Sequence, residues 1–264
     1  MKKLLVLFFA ILLAACDSVN TEKVAAVVEK SFGDEGIAAP VVAPKNIYVI
    51  LDGSGSGSSK YAIPKLNITD IETLVEKLSQ HGGGHLYLNF VDKDGDNNAI
   101  SHVKVPGYPV KPTIRPKYTG EQAYQYQVLE KEYAKTLANY EASYKEVTRQ
   151  VESIKSTYLD KWEAYLDNAY APKGADDYSD AIGVLNSAYR SLGSTEANTE
   201  NFVLAISDLE HDVPTAAAQK TLSSKPAGVK LIRINASDSG KKVTETDHEM
   251  DSFDNALDLI FNRK

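Results

Sequence analysis

From residue 46 onward, short apolar runs alternate with segments whose apolar residues recur every third or fourth position. Ile47, Tyr48, Val49, Ile50 and Leu51 form a run rich in β-branched and aromatic residues, which predicts a buried strand. Ile71, Leu74, Val75 and Leu78 fall at helical spacing behind N-cap candidates at Asn67, Thr69 and Asp70, and Gly82-Gly83-Gly84 ends that helix. Leu86, Leu88 and Phe90 alternate in a second strand over residues 85–91. After an acidic turn at residues 92–97, residues 99–105 return as a third strand antiparallel to the second. Ile182, Val184, Leu185 and Tyr189 line one side of a helix over residues 180–192. Residues 202–206 and 229–234 read as strands, and Phe253, Leu257, Leu259, Ile260 and Phe261 as a closing helix. Strands alternating with helices predict an α/β fold: a doubly wound, mostly parallel sheet with one antiparallel strand and helices on both faces. No sixth strand is evident.

One segment breaks that rhythm. Pro106, Pro109, Pro112 and Pro116 are followed by about fifty residues without Pro or Gly in their interior, as far as Ala171. Tyr126, Tyr133, Tyr140, Val147 and Ile154 recur every seven residues. Leu137, Tyr144, Val151, Tyr158 and Tyr165 make a second row. This predicts a long helix with a coiled-coil-like seam, a helical insertion over about residues 119–171 that projects from the domain or folds into a hairpin. The nine tyrosines from Tyr118 to Tyr170 make a packing seam first and a candidate partner surface second.

The first residues belong to targeting. Lys2 and Lys3 precede an apolar run too short to span a membrane, and the run closes on Leu13-Ala14-Ala15-Cys16. That tetrapeptide resembles a bacterial lipobox, which implies cleavage after residue 15, lipidation of Cys16 with palmitate-type chains, and anchoring in the cell envelope. Asp17 resembles the signal that keeps lipoproteins on the periplasmic side of the inner membrane, with the outer membrane the alternative. Residues 16–45 read as a tether, with a short amphipathic helix at residues 22–31 and an Ala/Pro/Val stretch, and residues 46–264 as the domain. Cys16 is the single cysteine, so its acylation excludes disulfides, thiolate catalysis and cysteine-bound zinc. The formal charge of −7 becomes about −9 once Lys2 and Lys3 leave with the leader, which argues against a nucleic-acid partner.

The chemistry concentrates where the first strand ends, at Asp52-Gly53-Ser54-Gly55-Ser56. One carboxylate and two hydroxyls converge in a glycine-rich turn, a set of hard oxygen donors suited to Mg²⁺. This resembles the metal-ion-dependent adhesion site of a von Willebrand factor A domain. That family draws its metal site from three loops at the carboxyl ends of strands, and two more loops resemble it in order. Gly174-Ala175-Asp176, ahead of Ala181-Ile182, is similar to the family's Gly-Gly-Thr turn, with Asp176 in place of Thr. The strand ending in Ser207-Asp208-Leu209 is similar to its Thr-Asp-Gly. The resemblance implies one Mg²⁺ or Mn²⁺ site from Asp52, Ser54, Ser56, Asp176 and Asp208. The serines bind directly, Asp176 adds a carboxylate, and Asp52 and Asp208 act mainly through waters and hydrogen bonds. The extra acid favours the cation and disfavours capture of a ligand carboxylate.

Rival motifs fail on spacing. Lys60 lies between Ser59 and Tyr61, which is no Walker loop, and Ser58 occupies the third glycine of a dinucleotide fingerprint. Ser56 lacks the flanking glycines of a nucleophile elbow. Asp92, Asp94 and Asp96 imitate a calcium loop, but Asn97 and Val103 stand where it needs Gly and Glu. His211 beside Asp212 has no nucleophile in view and reads as a solvated loop residue. The expectation is therefore not an enzyme but an envelope-anchored, metal-dependent protein-binding module. The alternative is a structural subunit that self-associates through its long helix, with a vestigial metal site.

Overall fold

The computed structural model describes residues 36–52, 63–93, 95, 97–171, 178–193, 198–213 and 220–262. Cys16, Asp17 and the helix expected at residues 22–31 lie outside them, as do Ser54, Ser56 and Asp176. In chain order the elements are β1 (Ile37–Ala38), β2 (Lys45–Asp52), α1 (Ile68–Gln80), β3 (Gly83–Val91), β4 (Ser101–Pro106), β5 (Thr113–Ile114) and α2 (Ala123–Ala169). Then follow α3 (Ala181–Gly193), β6 (Glu200–Ile206), β7 (Val229–Ile234), a 3₁₀ turn at Gly240–Lys242, β8 (His248–Met250) and α4 (Phe253–Phe261).

Six strands form one sheet in the order β4-β3-β2-β6-β7-β8. Every neighbouring pair is parallel except β3 with β4. This is the doubly wound, mostly parallel architecture with one antiparallel strand and a long helix that the sequence predicts. All eight residues of β2 are buried. Because side chains alternate across a strand, Ile47, Val49 and Leu51 enter one apolar layer, and Tyr48 and Ile50 the other. The first layer is covered by α1, the second half of α2, and α4; the second is covered by α3.

Local chemistry sets the element ends. Asn67 caps α1 with a complete capping box: its side chain accepts from Thr69 N and Asp70 N, and the Asp70 carboxylate accepts from Asn67 N. Such a cap is worth about 0.5–2 kcal/mol. Gly82, Gly83 and Gly84 all take positive φ where α1 turns back into β3. A Cβ on Gly84 would lie 1.8 Å from the Lys45 carbonyl oxygen, so this turn admits only glycine.

The structure supplies the sixth strand that the sequence did not show. β8 is three half-exposed or exposed residues, His-Glu-Met, and pairs with β7 at the sheet edge. So short an edge strand carries no apolar alternation to read.

Helix α2 is continuous over 47 residues, about 70 Å at 1.5 Å per residue, with no hairpin break. It is shared between two compact units, one containing residues 110–142 with β1, the other residues 42–109 and 143–264. In the larger unit the seam joins the core that the sheet shares with α1 and α4. Val151, Trp162, Leu166 and Ala169 are buried, and Val147, Ile154, Tyr158 and Tyr165 pack against the same core. Tyr165 donates to the Leu88 carbonyl at 2.8 Å, and Tyr170 accepts from Leu66 N at 2.9 Å. The inward face of residues 143–169 is therefore part of the core of this unit. In the smaller unit β1 pairs with β5, so Ile37 and Ala38, inside the stretch read as a tether, are structured. There Tyr126 and Tyr133 donate to the carbonyls of Arg115 and Pro112. Arg115 makes a two-pronged ion pair with Glu121, whose carboxyl it holds at about 2.

Trp162 is 1% exposed. Trp162→Ala is expected to destabilise the larger unit by about 3–5 kcal/mol, the usual cost of emptying a buried aromatic site. Urea unfolding followed by far-ultraviolet circular dichroism checks it; a loss below about 1 kcal/mol would place the second half of α2 outside the core.

Candidate functional site

The chain leaves β2 towards β3 on one side of the sheet and later returns to β6 on the other. The connections leaving the carboxyl ends of β2 and β6 therefore run to opposite sides, which makes a topological switch point, where open α/β sheets form their binding crevices. Asp52 is the last residue of β2, and Ser207 and Asp208 follow β6 directly.

These two acids meet. The Asp52 Oδ2 accepts a hydrogen bond from Asp208 N at 3.1 Å. Asp52 is 7% exposed and Asp208 is fully buried. The loop after β6 folds on its own side chains: Ser207 Oγ accepts from Leu209 N at 3.0 Å, and Asp208 Oδ1 from Glu210 N at 3.0 Å. Leu209 stands where the resemblance has glycine, and its φ of +54° keeps the left-handed backbone a glycine would take. A buried leucine in that region stores about 1–3 kcal/mol, held by its surroundings.

The loop after β7 clamps the same point. Ser237 N and Oγ both donate to the Asp208 carbonyl, at 3.1 and 3.3 Å, and Gly240 N donates to Ser237 Oγ at 2.9 Å. A Cβ on Gly240 would sit 1.8 Å from the Asp208 carbonyl oxygen.

The second loop arrives from α3. Asp180 is the N-cap of that helix: its Oδ1 accepts from Gly183 N at 2.9 Å, and its Oδ2 pairs with the Lys220 ammonium. Its carboxylate is nearly inaccessible, so the cap, the lysine and the nearby His211 ring are what make its burial tolerable. His211 forms a backbone bridge with Asp180, and its side chain is 19% exposed, with Nδ1 3.7 Å from Asp180 Oδ1. It is a joint between loops, in contrast to the solvated residue the sequence suggests. Asp212 accepts from Ser179 N and donates its own N–H to the Ser179 carbonyl. Asp180 N in turn donates to the Asp92 carbonyl at 2.8 Å. In the acidic turn, Asp92 accepts from Asn98, and the Gly95 carbonyl accepts from buried Asn89.

Of the five predicted metal-site residues, Asp52 and Asp208 come together. Ser54, Ser56 and Asp176 lie outside the described residues, but their described neighbours converge on the same end of the sheet. Asp52 is two residues before Ser54, and Ser179 and Asp180, just after Asp176, run beside the loop that follows Asp208. Among the described residues no three His, Cys, Asp or Glu side chains form a group able to hold a metal. The donor set still fits the role the resemblance implies for Asp52 and Asp208. Each carboxylate accepts a backbone N–H, Asp52 from Asp208 and Asp208 from Glu210, which fixes its direction at the strand end. Sequence reasoning missed Asp180, Lys220, Ser237 and Gly240. Only Asp180 left a signal, an N-cap residue directly before a helical pattern.

No family model and no curated protein matches the chain. Among solved structures, it is similar to the manganese-loaded TRAP protein of Plasmodium vivax: 16% identity over 86% of this chain and 76% of that one, TM-score 0.35. It is also similar to proximal thread matrix protein 1 from the mussel byssus: 11% identity over 86% of this chain, TM-score 0.37. The chain spans about half, 48%, of the mussel protein's length. At these scores the likeness carries no argument about family, ligands or role.

Gly240→Ala forces the Asp208 carbonyl and the Ser237 turn apart. It is expected to cost about 1–3 kcal/mol, as overpacking does, and to raise amide hydrogen exchange at Ser237 and Glu210 selectively. Unchanged exchange at both amides would mean that the clamp does not hold the Asp208 loop.

Proposed function

We propose that this chain is an envelope-anchored lipoprotein whose A-type domain binds a protein partner at the carboxyl end of its sheet, with a divalent cation assisting there. The observation that carries the reading is the Asp52–Asp208 hydrogen bond at the switch point. Mg²⁺ or Mn²⁺ would be held by the Ser54 and Ser56 hydroxyls and Asp176, with Asp52 and Asp208 acting through water. The bound cation supplies a positive centre able to accept an oxygen donor from a partner. This chain's own part is to hold the acids close and dry, so that their mutual repulsion is relieved when a cation enters. A structural subunit is the second reading, favoured by the exposed apolar side chains of Tyr118, Tyr124, Val128 and Tyr144.

Mg²⁺ or Mn²⁺ at millimolar concentration is expected to raise the melting temperature of the wild type by mass action. Asp52→Ala combined with Ser54→Ala should abolish that rise while retaining the fold. A partner captured from envelope extracts in Mg²⁺ should be released by chelator. No divalent binding by calorimetry would reduce the constellation to a fold signature and leave the structural reading. Cys16→Ser is expected to block incorporation of labelled palmitate and to release the protein from membranes; unchanged membrane association would sink the lipid anchor.

A further inference from the structure

Away from the switch point, the β3–β4 hairpin carries two histidines on one face. Leu86, Leu88, Val103 and Val105 enter the core, so His85, Tyr87, His102 and Lys104 point to the opposite side of the sheet. In the antiparallel register Tyr87 is opposite His102 and His85 is opposite Lys104, which makes His85 and His102 diagonal neighbours. Their rings lie 16° from parallel, and His85 Nδ1 is 2.7 Å from His102 Nε2. The pair is exposed to solvent.

We propose that His85 and His102 form a two-imidazole site for a borderline transition-metal cation of the Cu²⁺, Ni²⁺ or Zn²⁺ class, separate from the oxygen-donor site at Asp52.

Imidazole is the donor these ions prefer, whereas Mg²⁺ takes oxygen. Two imidazole nitrogens at about 2.0–2.1 Å from one ion, at roughly 90–110°, lie about 2.9–3.4 Å apart. The present separation is shorter than this, and the two nitrogens face each other, so the pair must open and both rings must swing about their side-chain torsions until the lone pairs converge on one ion. In the pair as it stands, one nitrogen donates and the other accepts. An ion replaces that shared hydrogen once the donor ring carries its proton on its other nitrogen, so no net proton need be lost.

The donors are also braced. The Tyr87 ring stacks on His102 at 4.4 Å and 6°, and Tyr48 stacks on Tyr87 at 5.6 Å and 19°. Tyr48 is fixed in the core by Asn89, which donates to its hydroxyl at 2.9 Å, and by Ser187 at 3.2 Å. A row of rings therefore connects the imidazoles to the sheet interior, and the hairpin register keeps the two residues side by side while the rings turn. Lys104 is the charged neighbour. Its side chain is exposed and long enough to carry the ammonium into water. Water would complete the coordination.

The test is titration of the full chain with Cu²⁺ alone, followed by electron paramagnetic resonance. One bound ion coupled to two imidazole nitrogens is expected. Losing an outer-shell partner alone costs about 10–100-fold in affinity, so His102→Ala and His85→Ala should each weaken binding at least tenfold. His85→Gln with His102→Gln, which keeps polarity and bulk, should do the same with an unchanged circular-dichroism spectrum. Asp52→Ala and excess Mg²⁺ should have no effect. Equal affinity and equal nitrogen coupling in the double glutamine variant would overturn the proposal, as would displacement of copper by Mg²⁺.

Discussion

The hydrogen bond from Asp208 N to Asp52 Oδ2 joins the tips of two parallel strands at the one place where the sheet's winding reverses. β2 and β6 are paired as far as Leu51 and Ile206, and beyond them the two loops leave in opposite directions. A carboxylate accepting a backbone N–H there is a charge-assisted bond in a dry setting, stronger than its neutral equivalent. Much of the surrounding structure serves that contact. Leu209 accepts a left-handed backbone so that Asp208 is presented, Ser237 and Gly240 hold the Asp208 carbonyl from the next strand, and the Asp180 segment braces the following loop through His211 and Asp212.

Most of the sheet was legible in the sequence because its strands are buried on both faces and therefore continuous in apolar residues. β2, β6 and β7 show this, and β2 differs from its expected span by one or two residues at each end. β8 was not legible: three edge residues carry no pattern, and only pairing to β7 makes them a strand. For α2, the heptad rows were visible but not their use. A seven-residue repeat states that a face is buried; it does not say whether a helix or a sheet buries it. Here Tyr165 reaches β3, while Val151 and Tyr158 join a core built by the sheet together with α1 and α4.

The site divides in the same way. Asp52 and Asp208 were readable because each directly follows an apolar strand, and a strand end fixes where a side chain emerges. Asp180, Lys220 and Ser237 were not, because their roles depend on contacts between loops distant in sequence. Lys220 meets Asp180 across forty residues, and Ser237 meets Asp208 across twenty-nine. The pairing of His85 with His102 is likewise a product of hairpin register, which the sequence suggests only as two strands with a turn between them.

Whether the paired acids work as a cation site is tested most directly by Mn²⁺ as a paramagnetic probe in amide-resolved nuclear magnetic resonance of the full chain. The account predicts selective broadening of the amides of Asp52, Asp208 and Glu210 at substoichiometric Mn²⁺, reversed by excess Mg²⁺, with the opposite end of β2 at Lys45 unaffected. Broadening spread evenly over surface carboxylates, or none at the ends of β2 and β6, would contradict it.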